Sequence, residues 1–394
     1  MVNPMKIYEI GTGYTPIPAR MGAATEIVVE ELVRALRKNG AEVELLDIQA
    51  EDRKANDLSI REIPVPGCFA GTDVKLGIMH KLKRVVYSLA LALELRKLLK
   101  KTEEPVLLHF HNQYNLFFFL KMVSRRLRAR AKIAYTVHSY IWPGEWEEIR
   151  AIIRKRYFQE VFCVRHADYV FVLNDKTAEH FAEHLHVKPE KIHKIANGVN
   201  TDVYHVLCQQ AVDDFKKSMG LAGRKIIFQV GSVCDRKNQM GAVKRLKKLL
   251  QEHKYTVYVY AGGVIDGEYQ QEIHRFALEN GIADQVIYAG ELCPGEMLNR
   301  YYNAADITIF PSKVESFGLV IIESISAGTP VILAQKPLFV LEHGWRTYDS
   351  DEEFERLIDG YLKKPCSETT GRDEVIQSYS WEKIAKDHLK IWGL

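Results

Sequence analysis

Short apolar runs alternate with longer stretches of helical periodicity from the first residues of the chain. MKIYEIG reads as a strand. GAATEIVVEELVRALRKNG carries apolar residues at helical spacing and stops at Gly40, a residue suited to the turn beyond a helix end. AEVELLDI is the next strand, and PVLLHFHN, KIAYTVHS and YVFVLN follow, each ahead of a helical stretch or a loop. This alternation predicts βαβ units and a parallel sheet. After about residue 205 the pattern restarts, with KIIFQVGS, YTVYVYAGG, QVIYAGE, ADITIFPS and TPVILA as strands. Two consecutive sets predict two doubly wound α/β domains, residues 1–200 and 201–375. The segment 376–394, containing SWEKIAKDHLKIW, is expected to be a helix crossing back to the N-terminal domain, although its pattern suits a seat on either.

A length of 394 residues fits two domains, and 47% hydrophobic with 27% charged residues is the balance of a globular chain with a sizeable core. The net charge of +3 is too small to argue for nucleic acid as a partner. Cys68, Cys163, Cys208, Cys234, Cys293 and Cys366 show no C-x-x-C spacing, which argues against structural zinc and for scattered thiols in a reducing compartment. MVNPMKIYEIGTGYTP lacks the regions of a secretory signal. VVYSLALALEL is shorter than the roughly 20 residues a membrane span needs. The expectation is a cytoplasmic protein without a transmembrane helix.

VESFGLVIIE, Val314–Glu323, raises the chemical question. ADITIF is a strand ended by Pro311, and a helix is predicted from about Phe317 to Ala327, with Gly328 beyond its end. Glu315 then sits in the loop before the helix and Glu323 about two turns into it. The helix is apolar nearly all round, which marks it as buried. A buried carboxylate needs partners. These are either structural, from Lys, Arg or backbone amides, or a ligand with two adjacent hydroxyls such as a ribose. Free N–H groups at the helix start suit phosphate, and Gly318 allows close backbone approach.

FPSKVESFGLVIIESISAGTPVIL resembles the E-x7-E segment of the retaining GT-B glycosyltransferases of family 4. The similarity covers the Pro-Ser strand end, E-x-F-G-L, the second Glu and A-G-T-P-V. It implies a fold of two Rossmann-like doubly wound parallel-sheet domains facing a central cleft, with the acceptor on the first and the nucleotide sugar on the second. It further implies that Glu323 binds ribose hydroxyls and that Glu315 faces the donor sugar. The amides of Phe317, Gly318, Leu319 and Val320 would approach the diphosphate and sugar.

Other stretches fit the same resemblance. VGSVCDRKNQ places Lys237 where the family neutralises the diphosphate, while Ser232 stands at the usual Arg position and neighbouring Arg236 is a candidate for the missing charge. MGAATE stands in for the family's G-G-x-E, so Gly22 would offer an amide to the donor phosphate. AYTVHS puts His138 at the carboxyl end of a strand, where the resemblance implies a contact with the donor sugar near its anomeric centre. IANGVNTDVY resembles the segment at the family's domain junction, and YAGG and YAGEL end strands whose loops, with Gly262, would line the nucleobase pocket. His109 and His111 share one face of a strand. They are a possible metal pair without an obvious third ligand, and a structural or cleft-lining role is favoured. After Leu333 the resemblance fades.

KLGIMHKLKRVVYSLALALELRKLLKK and LFFFLKMVSRRLRARAK are basic segments able to meet anionic lipid, although solvated helices are the favoured reading. The expected activity is transfer of a sugar from a nucleoside-diphosphate sugar to a carbohydrate or lipid-linked acceptor, with retention and without a metal or other cofactor. Two other classes compete. G-x-G at Gly11 and Gly13, with Asp47 ending the second strand, hints at an NAD(P)-dependent enzyme, but Pro16 occupies the third glycine position of that fingerprint. A non-catalytic sugar-nucleotide-binding protein would keep the ribose site and lose the chemistry.

Overall fold

The computed structural model describes residues 5–18, 24–51, 53, 57–69, 78–138, 146–313, 317–337, 340–363 and 369–394. Gly22 and Glu315 lie outside the described residues. The chain divides into two compact units, Met1–Asn197 together with Trp381–Leu394, and Gly198–Ser380.

The first unit is built on seven parallel strands: β1 Lys6–Ile10, β2 Val43–Ile48, β3 Ile60–Ile63, β4 Val106–Phe110, β5 Ala131–Thr136, β6 Tyr169–Val172 and β7 Ile192–Lys194. Their order is β3-β2-β1-β4-β5-β6-β7. The order reverses between β1 and β4, the doubly wound arrangement whose ligands meet the carboxyl ends of the strands at the reversal. A sheet covered on both faces needs apolar residues at nearly every strand position. Ile7, Ile10, Leu107, Leu108 and Phe110 meet that demand and are fully buried. Glu9 and His109 break it, and they sit directly opposite each other in the β1–β4 register.

The helix Trp381–Trp392 packs against the helix Ala24–Lys38. It buries Trp381, Ile384, Ala385, His388 and Trp392. Trp381, Ile384, Ala385 and His388 fall at i, i+3, i+4 and i+7, the spacing that makes a single buried face.

The second unit carries β8 Lys225–Val230, β9 Thr256–Ala261, β10 Val286–Tyr288, β11 Ile307–Phe310, β12 Val331–Leu333 and β13 Trp345–Thr347. All are parallel and ordered β10-β9-β8-β11-β12-β13. Reversal here falls between β8 and β11. Both units are therefore Rossmann-like α/β folds with doubly wound parallel sheets.

Strands β3, β7 and β13 are short additions that apolar patterning does not reveal. IREI, IHK and WRT mix charged with apolar residues because all three lie at or beside sheet edges, where one flank is less enclosed. The long basic helix spans Ile78–Lys101. The second basic segment is divided into Gln113–Met122 and Arg125–Arg128, with Asn112 capping the former through a hydrogen bond from the Tyr114 amide.

Candidate functional site

In the second unit the loops after β8 and β11 flank the strand-order reversal, and side chains lock them together. A tight turn at Asp235–Lys237 follows β8. Buried Gln229, at the end of β8, donates 2.8 Å to the Lys237 carbonyl and accepts 2.6 Å from the Tyr258 hydroxyl. Gln239 donates to the carbonyl of Ser232 at 3.0 Å. Asn238 adopts the left-handed conformation, with φ of 58°, and donates to the Pro311 carbonyl at 3.2 Å. From the other loop, the Lys313 amide donates to the Arg236 carbonyl at 2.9 Å and its ammonium pairs with Asp235 at 2.7 Å.

Lys237 is buried, its stem lies along Gly231 and its ammonium sits 4.8 Å from the centre of the Phe310 ring. A cation held over an aromatic face with little water around it is pre-positioned to meet an anion. Arg236 is exposed, as expected for the neighbour of an inward residue in a turn, and Ser232 is half-buried beside Gly231. Gly262 has a packing role: a Cβ there would lie 2.1 Å from the Gly231 carbonyl oxygen, and its φ is 141°. The loops after β8 and β9 approach that closely only because residue 262 has no side chain.

The helix after β11 runs Leu319–Ser326, two residues shorter at its start and one at its end than its pattern suggests. Gly318 occupies its N-cap position with φ of 86°, a left-handed conformation that sets the helix start at Leu319. Phe317 is buried, and Leu319 and Val320 are half-buried.

Among the described residues, neither Lys nor Arg pairs with Glu323. The Tyr302 hydroxyl donates to its Oε2 at 2.9 Å, and Tyr204 is a second hydroxyl partner. Burial pushes the carboxyl up to about 7, while the two tyrosines pull it down. Sequence reasoning missed both tyrosines, which come from positions 21 and 119 residues away and carry no motif.

The first unit presents a different constellation. Glu9 is fully buried and its two oxygens meet two imidazoles, His109 Nδ1 at 2.9 Å and His111 Nε2 at 2.7 Å. The other ring nitrogens are engaged as well, His109 Nε2 with the Thr136 hydroxyl at 2.7 Å and His111 Nδ1 with His138 Nε2 at 3.0 Å. His138, half-buried just beyond β5, ends this series. Burial works against charge on Glu9, but His109 and His111 beside it hold its carboxyl down at about 2. Burial depresses His111 to about 4, with neighbouring His109 adding to the effect. It also pushes His138 well below its ordinary value. The shared face of His109 and His111 is confirmed by ring centres 4.2 Å apart.

Glu9 supplies the third donor that spacing did not suggest, so these three groups lie close enough together to hold a metal ion. In the structure each of their facing atoms has a hydrogen-bond partner instead. In the sequence Glu9 shows as an acid flanked by Tyr8 and Ile10 within β1.

The dinucleotide alternative finds no support at Asp47. Its Oδ2 accepts from the Ile17 amide at 2.7 Å and from Arg53 at 2.9 Å, in full burial. Gly11 is the residue whose missing side chain makes room for Asp47, since a Cβ there would lie 2.3 Å from Oδ1. Asp47 thus anchors the first loop.

Comparison with known proteins agrees with this picture. The family profile described as Glycosyltransferase Family 4 matches residues 25–203, and that described as Glycosyl transferases group 1 matches residues 212–342. The chain is a member of the group 1 glycosyltransferases of the GT-B fold. A D-inositol 3-phosphate glycosyltransferase of Corynebacterium aurimucosum is 25% identical over 58% of this chain and 58% of its own length. Matches to the first curated relatives span 60% or less of those proteins. Among solved structures, sucrose-phosphate synthase from Thermosynechococcus elongatus has a TM-score of 0.75 at 20% identity, covering 99% of this chain and 98% of that one. The Anabaena HepE protein, solved in complex with UDP-glucose, has a TM-score of 0.68 at 15% identity, with 99% of each chain covered. At these identities the structural likeness is one of fold. Among the described residues no helix is long and apolar enough to cross a membrane.

Proposed function

We propose that the protein is a retaining glycosyltransferase that moves a sugar from a nucleoside-diphosphate sugar to a hydroxyl of a glycan, a glycolipid or a small glycoside. The observation that carries this reading is the pair of interlocked loops at the strand-order reversal of the second sheet. They place a buried cation, Lys237, and a helix start at Gly318–Leu319 on the two sides of the point where doubly wound sheets bind ligands. Glu323 lies further along that helix with a polar environment already built around it.

In this reading Lys237 and the amides at Gly318–Val320 neutralise the diphosphate, and Glu323 accepts hydrogen bonds from the ribose diol. Negative charge grows on the diphosphate as the glycosidic bond breaks, so a fixed cation stabilises the transition state more than the ground state. An acceptor hydroxyl attacks from the face the diphosphate leaves, and a diphosphate oxygen takes its proton. Glu315 and His138 serve the donor sugar, Gly22 the donor phosphate and Gly262 the nucleobase pocket. Lys237 and the helix amides supply the neutralisation that a metal would otherwise provide.

A lipid-linked acceptor is in keeping with the helix Ile78–Lys101, where Met79 and Leu82 are 58% and 46% exposed beside Lys81. Apolar side chains among lysines form a face suited to anionic lipid.

The test uses UDP-glucose, followed by GDP-, ADP- and dTDP-glucose, with release of nucleoside diphosphate as the readout and the product's anomeric configuration determined by NMR. Glu315→Gln and His138→Ala should abolish release while leaving nucleotide affinity nearly intact. Unchanged turnover in both variants, or an inverted product, would overturn the reading.

A further inference from the structure

We propose that the acceptor is a phosphomonoester and that Arg84 and Lys83 hold its phosphate in the crevice at the strand-order reversal of the first sheet. The inference rests on the glycosyltransferase reading above and names the substrate class on its acceptor side.

A surface helix ordinarily turns its charged residues to water. The helix Ile78–Lys101 turns some of its basic residues inward. His80, Lys83, Arg84 and Tyr87 fall at i, i+3, i+4 and i+7, which places them on one face. That face packs on the loop after β1. The Tyr87 hydroxyl donates to the Gly11 carbonyl at 3.2 Å, and Lys83 Nζ donates to the Tyr14 carbonyl at 3.1 Å. His80 stacks on the Tyr14 ring with centres 5.2 Å apart. Lys83 and His80 are only 6% and 8% exposed.

Arg84 touches both sides of the reversal between β1 and β4. Its guanidinium carbon lies 4.1 Å from the centre of the Tyr14 ring, in the loop after β1. It lies 5.5 Å from the centre of the Tyr114 ring, just after β4. These two segments border the crevice where a doubly wound sheet takes its ligand. Contact with an aromatic ring engages the charge of a guanidinium but none of its five N–H donors. Arg84 Nε is buried without a hydrogen-bond partner, and so is the hydroxyl of Thr15, the residue after Tyr14. Such orphaned groups are uncommon, and an anion meets both. The carboxylates whose charge acts on Lys83, Asp47 and Glu26, are engaged by Arg53 and by Thr12.

Charge and shape select phosphate. Arg84 and Lys83 together match the charge of about −1.5 to −2 that a phosphomonoester carries at neutral pH, whereas a carboxylate brings a single charge. The planar fork of Arg84 suits two phosphate oxygens and the compact Lys83 ammonium a third. A phosphate fixed there lets a hydroxyl elsewhere on the acceptor be aimed at the donor sugar.

The experiment is calorimetric titration of the full chain without donor. Glucose 6-phosphate, fructose 6-phosphate and myo-inositol 1-phosphate are compared with the unphosphorylated compounds, with glucuronate as the carboxylate control. Vesicles of phosphatidylcholine with and without phosphatidate test a lipid-borne phosphomonoester. At least one monophosphate should bind about tenfold or more tightly than its parent compound and than glucuronate, and folded Arg84→Met should bring that ratio below about threefold. Arg84→Lys keeps the charge without the fork and should restore part of it. Binding confined to phosphatidate vesicles and weakened by Arg84→Met supports the phosphate site and assigns it to a lipid headgroup. Equal affinity for phosphorylated and plain compounds with no preference for phosphatidate, tighter binding of glucuronate, or a folded Arg84→Met with the parent ratio overturns the proposal. If Arg84→Met does not fold, Arg84→Lys replaces it, and an unchanged ratio there overturns the proposal equally. A monophosphate that binds but leaves nucleoside diphosphate release unchanged, in a protein active on other acceptors, also overturns it. Phosphate binding with no release from any donor would instead withdraw the glycosyltransferase reading.

Discussion

The Tyr302 hydroxyl lies 2.9 Å from Glu323 Oε2, so the acid that sequence alone leaves stranded in an apolar helix is held by a phenol from the preceding helix. Burial has pushed this carboxyl up to about 7. In the proposed role, accepting hydrogen bonds from a ribose diol, it acts as the ionised carboxylate. Nucleotide affinity should therefore rise as pH increases through about 7 and level off above, with protons released on binding below that point. Calorimetry across a pH series in buffers of different ionisation enthalpy measures both. Tyr302→Phe removes a hydrogen bond that favours the carboxylate, so the midpoint should move upward.

The same shift has a stability consequence of known sign. The folded value lies above the ordinary 4.5, so the contribution of Glu323 is fully present below about 4.5 and is lost as pH rises through about 7. Glu323→Gln should remove that dependence, and nucleotide affinity should fall with it by about 1–3 kcal/mol. Chemical denaturation of both proteins at pH 5 and pH 8 reads the first effect.

Lys237→Met keeps the aliphatic stem against Gly231 and Phe310 and removes the charge. Turnover should drop by roughly two to three orders of magnitude, with the melting temperature almost unchanged. A kcat near the parent value would detach Lys237 from the chemistry.

Much of this arrangement is legible in the sequence. Strand-helix alternation gives both sheets because doubly covered parallel strands demand apolar runs, and Ile226–Phe228 or Leu107–Leu108 show that demand openly. Lys237, Gly318 and Glu323 stand out because a strand end, a turn and a helix start are local events with local residue signals. Glu9, Tyr204, Tyr302 and Gln229 do not, since each acts on a group distant in sequence. Edge strands β3, β7 and β13 escape for a related reason: pairing with one neighbour is enough to form them, whatever their polarity.

Two glycines separate packing from propensity. Gly262→Ala forces a Cβ against the Gly231 carbonyl at a positive φ and should destabilise the protein by at least about 2 kcal/mol. Gly360, inside the helix Asp351–Lys363, has no atom within 4 Å of the added Cβ, so Gly360→Ala should stabilise by up to about 1 kcal/mol. Urea denaturation midpoints of the two variants should move in opposite directions.

Glu9→Gln tests the buried network through stability. The carboxylate held at about 2 contributes stability fully above about 4.5 and loses it as pH falls toward 2. Gln offers one acceptor where Glu9 offers two, so the variant should be less stable at neutral pH by about 3 kcal/mol. The gap to the parent protein should narrow below pH 4.5. An equal gap at pH 7 and pH 3 would mean that the charge of Glu9 is not what the imidazoles recognise.

The most direct measurement of the central claim compares ribonucleoside diphosphates with their 2′-deoxy counterparts in a thermal-shift experiment on the parent protein and on Glu323→Gln. A ligand that binds only the folded state raises the melting temperature in proportion to its affinity. The account predicts that UDP, GDP or ADP raises it clearly, that the 2′-deoxy form of the same nucleotide does so far less, and that Glu323→Gln erases the difference. No shift with any nucleotide, or equal shifts for ribo and deoxy forms in the parent protein, would contradict it.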